Sequence, residues 1–131
     1  MDTIDVDSLV AVARGKKPKS DRDITIDSSP DISPRAFAIE IGGTAMLSKE
    51  ADSFAAGDVV VIDPDAKPEP GCFVLAVVGN EAMFRKYRPL QHSQLTAFEL
   101  VPLNSFFPTV KGSTDDGAVI VGRAVRHIRK L

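Results

Sequence analysis

From Ala36 onward the apolar residues of this chain fall into short runs rich in Val, Ile and Phe, with Gly, Pro, Asn or Asp between them. Runs of that length and composition suit strands joined by turns. The pattern predicts a mainly β domain with strands over 36–42, 58–63, 72–79, 81–88, 96–102 and 118–128. In "VVGNEAMF" the pair Gly79-Asn80 marks a tight hairpin turn. Only 45–54 offers room for a short helix. Pro64, Pro68 and Pro70 stiffen "DPDAKPEPG" and remove backbone donors, so this stretch should cross between strands outside any sheet interior.

Residues 1–35 differ. "ARGKKPKSDRD" and "SPDISP" are rich in charge, Ser and Pro and hold no sustained period, which reads as a flexible arm. The apolar cluster Leu9 to Ala13 within it could dock as a strand or a helical turn. The 131 residues suffice for one domain, 36–131, with its own core, and a net charge of -2 demands neither an acidic nor a basic partner. Cys72 is the single cysteine, and His92 and His127 lie far apart in sequence, so the expectation is a cytoplasmic protein with no disulfide, no metal and no cofactor. The apolar runs "VVVI" and "FVLAVV" fall far short of the roughly 20 residues that cross a bilayer, and nothing at the start reads as a signal peptide.

The ordered set "IGGTAM", "AAGDVVVIDP", "PEPGCFVLAVV", "EAMFRKYRPL", "ELVPLNSFFPTV" and "AVIVGRAVRHI" resembles the self-cleaving phage repressor, LexA and UmuD family over residues 36–131. The resemblance implies a LexA-like C-terminal domain: twisted antiparallel sheets in a partly open, barrel-like arrangement. It also implies serine–lysine chemistry, in which desolvation strips a buried lysine of its proton and the neutral amine activates a hydroxyl. The family's Gly-x-Ser-Met loop corresponds here to Gly43-Thr44-Ala45-Met46, so a methyl group stands at the nucleophile position, flanked by cleft-lining Thr44 and Met46. In "FRKY", Arg85 aligns with the general-base lysine, and Lys86 is the alternative base. Alternation along a strand sends Lys86 to the face opposite Arg85 unless a bulge resets the register. Arginine stays protonated and cannot serve as the base. The family's Ala-Gly cleavage bond corresponds to the region Ala13, Arg14, Gly15, where the arginine interrupts the pair.

Two histories account for Ala45: deliberate replacement of a serine, or natural loss of catalysis. Arg85 and the broken Ala-Gly pair favour the second. The chain then reads as the oligomerising, regulatory C-terminal domain of a phage or prophage repressor, contacting operator DNA only through an N-terminal helix-turn-helix absent here. Such domains form homodimers and sometimes higher oligomers, and an antirepressor or a RecA filament would be the releasing partner. The terminal strand, with Val119, Val121, Arg123 and Val125, is the expected dimer interface, offering unpaired backbone groups as a template. The alternative is an autopeptidase of the LexA or UmuD kind with its nucleophile replaced. A β binding module outside the family would leave Ala45 far from both Arg85 and Lys86. Blander roles also stand: Asn104 satisfying loop backbone groups, Phe106 or Phe107 filling core, Cys72 a buried hydrophobe, His92 exposed in a polar loop, and Arg123, Arg126, His127, Arg129 and Lys130 a solvated strand edge.

Overall fold

The run Val59-Val60-Val61-Ile62 lacks polar alternation because both of its faces are covered: all five residues of its strand are buried. A computed structural model describes residue 10 and residues 32–49, 53–90, 97–113 and 117–129. Its strands are β1 (Phe37–Glu40), β2 (Val59–Asp63), β3 (Phe73–Val78), β4 (Glu81–Pro89), β5 (Ala97–Val101), β6 (Val110–Ser113) and β7 (Val119–Ile128). They form one antiparallel sheet in the order β1-β2-β7-β3-β4-β5-β6, curled into a half-barrel.

Side chains alternate across β3 and so feed two cores. Leu75 and Val77 join Phe37, Ile41, Met46, Phe54, Val60, Ile62, Phe84 and Val121 in the larger cluster. Val74 and Ala76 join Met83, Phe98, Leu100 and Ala118 in the smaller one, against which Cys72 packs half-buried. The β3–β4 hairpin turns at Gly79-Asn80 with Val78 opposite Glu81; Gly79 takes φ +62°, the left-handed conformation that a type II′ turn needs at its first central residue. The Pro-rich connection 64–71 carries the chain from β2 to β3 past β7, which lies between them.

Three expectations change. The terminal strand is not an edge: β7 is hydrogen-bonded to β2 on one side and β3 on the other, and β1 and β6 are the outermost strands. Nor does β7 alternate evenly, because its register shifts between Val61 and Ile62 against β2 and between Leu75 and Ala76 against β3. These bulges leave Val125 and Val121 as the extra residues, and Val121 turns into the protein's own core at 1 % exposure. Second, β6 is a strand that propensity hides, since "VKGS" contains a glycine. A Cβ on Gly112 would sit 2.9 Å from the Phe98 ring and 3.2 Å from Ala118 Cβ, so close packing against β5 requires that residue. Third, the described part of 45–54 is not helical: Ala45 and Met46 form a turn, and 50–52 fall outside the described residues. In the arm, Val10 has helical backbone and packs half-buried on the larger core.

Candidate functional site

Gly43 enters the loop after β1 at φ +74°, a backbone conformation suited to glycine, and lets the chain fold back as a turn closed by Leu47 N–H donating to the Thr44 carbonyl at 3.1 Å. Asn104, in the loop between β5 and β6, holds this turn from one side. Its N–H donates to the Ala45 carbonyl at 2.9 Å and its Nδ2 donates to the Thr44 carbonyl at 3.0 Å. Its own Oδ1 accepts from Phe106 N–H at 3.0 Å. On the other flank Phe54 N–H donates to the Met46 carbonyl at 2.8 Å. Across a trans peptide the N–H points opposite to the C=O, and the protein has no cis bond among its described residues. With the Thr44 and Ala45 carbonyls both hydrogen-bonded to Asn104, the N–H groups of Ala45 and Met46 are directed away from it.

This turn forms one wall of a cleft of about 350 Å³. Ile39 to Met46 line it on that side; Leu75, the β4 residues Ala82 to Arg85, and Phe107 complete it. Ala45 and Arg85 therefore face the same space, with Thr44 and Met46 beside them, whereas Lys86 is not among the lining residues. The pairing of β4 with β3 runs without a shift from Glu81 to Lys86, so no bulge turns Lys86 back onto the face of Arg85. The separation expected of an unrelated β module is not what the structure has.

Arg85 is half-buried. Burial lowers its pKa from the ordinary arginine value, and the nearby Glu81 carboxylate opposes that shift; an arginine starts so high that it remains a cation. Its Nη1 donates to the Phe84 carbonyl at 2.8 Å, while its Nε is buried without an acceptor. The cleft thus contains a methyl group where serine–lysine chemistry needs a hydroxyl, and a permanent cation where it needs a neutral amine.

Sequence reasoning assigned Phe106 or Phe107 to the core; the structure puts both outside it. Phe106 is 93 % exposed, and Phe107 is 37 % exposed at the cleft. The turn that lets Asn104 grip the Ala45 loop carries the two rings outward. Two supporting groups were missed. Phe54 packs against Phe73, Phe84 and His127 with ring centroids 4.8, 5.0 and 4.4 Å away. His127, read as part of a solvated basic edge, has Nε2 2.8 Å from Oδ2 of the buried Asp58. An aromatic next to a strand-launching Gly-Asp pair was the available signal. Within the same basic group Arg123 lies 3.5 Å from the Glu69 carboxylate. Ala13, Arg14, Gly15, His92 and Lys130 lie outside the described residues. Among the described residues no three His, Cys, Asp or Glu side chains gather as a metal site, and no helix is long and apolar enough to cross a membrane.

An all-antiparallel curled sheet of this kind fits the peptidase-like C-terminal domains of the LexA, UmuD and phage repressor type. The chain belongs to the Peptidase S24-like family, whose model matches residues 5–125. A search of curated proteins finds no match to it.

Proposed function

We propose that this chain is a regulatory and oligomerisation domain of a phage-type transcriptional repressor, and that it works by assembly rather than by cutting itself. The observation that carries this reading is the joint presence of Ala45 and Arg85 in one cleft. Neither side chain can perform its family role. Loss of both partners fits a domain retained for another purpose, since one engineered substitution would have changed only the serine position.

Pairing is the natural purpose, because a dimer presents two DNA-reading heads to two half-sites and gains affinity through effective concentration. With Val121 committed to the internal core and Val119 opposite Val77 on that same face, the interface proposed on β7 narrows to Arg123 and the exposed Ile128 on the other face, with the bulge residue Val125 beside them. Contact there is face to face, since both edges of β7 are already occupied. Release of such a repressor would need an antirepressor protein, because RecA-stimulated self-cleavage lacks its nucleophile. Light scattering at tens of micromolar tests the proposal: a two-fold assembly is expected, and a monomer throughout would refute it.

A second reading, a self-cleaving peptidase of the LexA or UmuD kind with its serine replaced, draws support from the Ala45 turn. Asn104 and Phe54 hydrogen-bond the carbonyls of Thr44, Ala45 and Met46, so the loop at the nucleophile position is held in place.

A further inference from the structure

The turn that carries Ala45 is fastened at both ends to one short segment, 54–58. Before the turn, Ile41 N–H donates to the Asp58 carbonyl at 2.7 Å, and the Ile41 carbonyl accepts from Gly57 N–H at 2.9 Å. After it, the Met46 carbonyl accepts from Phe54 N–H at 2.8 Å. The segment is itself closed as a turn. Asp58 N–H donates to the Ala55 carbonyl at 3.0 Å, and Asp58 Oδ2 accepts from Ala55 N–H at 3.1 Å. Residues 42–45 are thus an excursion from a common base, and a displacement of that base carries the turn with it.

β1 and β2 lie next to Ile41 and Asp58, but Phe54 and Ala55 belong to no strand. They are held from the end of β7. His127 Nε2 lies 2.8 Å from Asp58 Oδ2, the oxygen that also binds Ala55 N–H. A carboxylate oxygen only accepts, so Nε2 carries the hydrogen. The same imidazole lies against the Phe54 ring, with centroids 4.4 Å apart and planes tilted by 31°. One side chain therefore fixes both the carboxylate that orients Ala55 and the ring whose residue binds Met46. The Asp58 side chain is only 5 % exposed, so water is poorly placed to replace the imidazole, and its loss leaves a buried oxygen one donor short.

We propose that His127 is a conformational latch on the cleft. Through Asp58 and Phe54 it holds residues 54–58 shut, and with them the Met46 end of the Ala45 turn. With the latch engaged, the turn stands as a wall of the cleft. With the latch released, segment and turn leave as one unit and the cleft opens on that side. The end of β7 thereby governs the shape of the cleft, which neither the strand pairing nor the assembly role requires.

Amide hydrogen exchange of the full chain, read residue by residue by nuclear magnetic resonance at neutral pH, tests the latch. The reporters are Phe54, Ala55 and Gly57 in the base, and Asn104, whose N–H binds the Ala45 carbonyl from the far side of the turn. Ala76 and Met83, paired in the β3–β4 ladder, are the reference. In the unaltered chain the four reporters should share one opening rate across a series of sub-denaturing urea concentrations, faster than that of the reference pair. His127→Phe keeps a ring beside Phe54 and has no nitrogen to donate; it should speed all four reporters roughly ten-fold and leave the reference pair unchanged. His127→Gln, whose amide N–H can still donate to Asp58, should recover most of the protection. Faster exchange at Ala55 with Asn104 unaltered would overturn the proposal, because the hold would then stop at the base. Equal acceleration of Ala76 and Met83 would also overturn it, by reducing His127 to a contributor to overall stability. So would a glutamine variant no better protected than the phenylalanine one. Should His127→Phe fail to fold, the urea series on the unaltered chain decides: a common opening of the four reporters supports the latch, and separate openings refute it.

Discussion

Phe54 should be the most costly single truncation near the site, because it joins the core to the loop that carries Ala45. Its ring is 5 % exposed and meets Phe73, Phe84 and His127, and its N–H fixes the Met46 carbonyl. Replacing a buried phenylalanine with alanine costs about 3–5 kcal/mol, and each aromatic pair adds ~0.5–1.5 kcal/mol beyond its buried area. With three rings losing their common neighbour, Phe54→Ala belongs at the upper end, about 4–5 kcal/mol. At roughly 3–5 °C per kcal/mol for a domain of this size, Tm falls by ~12–25 °C. Phe54→Leu keeps most of the apolar volume and should lose only about 1–2 kcal/mol. Urea unfolding followed by circular dichroism gives both values. A loss below ~1 kcal/mol for alanine, or equal losses for alanine and leucine, would refute the idea that this ring is the hub of the larger core.

Gly122→Ala should destabilise by about 1–3 kcal/mol in the same assay, since its Cβ would meet Ile62 Cγ2 at 2.7 Å and the Asp63 carbonyl oxygen at 2.8 Å; an unchanged midpoint would show that bulged β7 yields freely. Asp65 should titrate below its ordinary 3.8 because of its hydrogen bond from Ser33 and then its pairing with Arg35. A depressed folded-state value means that the stabilisation is present above the unfolded pKa and is lost as pH falls through the folded one. Carbon-detected titration should therefore place Asp65 lower in the native chain than in Ser33→Ala, and identical midpoints would remove the cause assigned.

Much of the architecture could be read in the residues because turn chemistry and apolar runs are local signals. The β3–β4 hairpin follows from Gly79-Asn80 between two apolar runs, and the Pro-rich crossover from prolines that cannot serve a sheet interior. What stayed hidden depends on contacts between distant segments. The strand at Val110–Ser113 exists because Gly112 lets β6 lie against Phe98, a fact of packing that no propensity of "VKGS" contains. Placement of β7 inside the sheet depends on which strands it pairs with, and its two bulges cannot be inferred from an alternating pattern. The meeting of Ala45 and Arg85 follows from a motif resemblance. The unmatched Nε of Arg85 and the outward turn of Phe106 needed coordinates.

The central claim is that the cleft lacks both halves of a serine–lysine pair, and self-cleavage of three variants tests it most directly. Ala45→Ser, Arg85→Lys and the double substitution are incubated at alkaline pH, where a buried lysine is neutral, and their masses are followed over days. The account predicts that the two single variants stay full length and that the double variant releases fragments cut in the 10–16 region. Fragments from Ala45→Ser alone would contradict it, because a base other than residue 85 would then have been present all along.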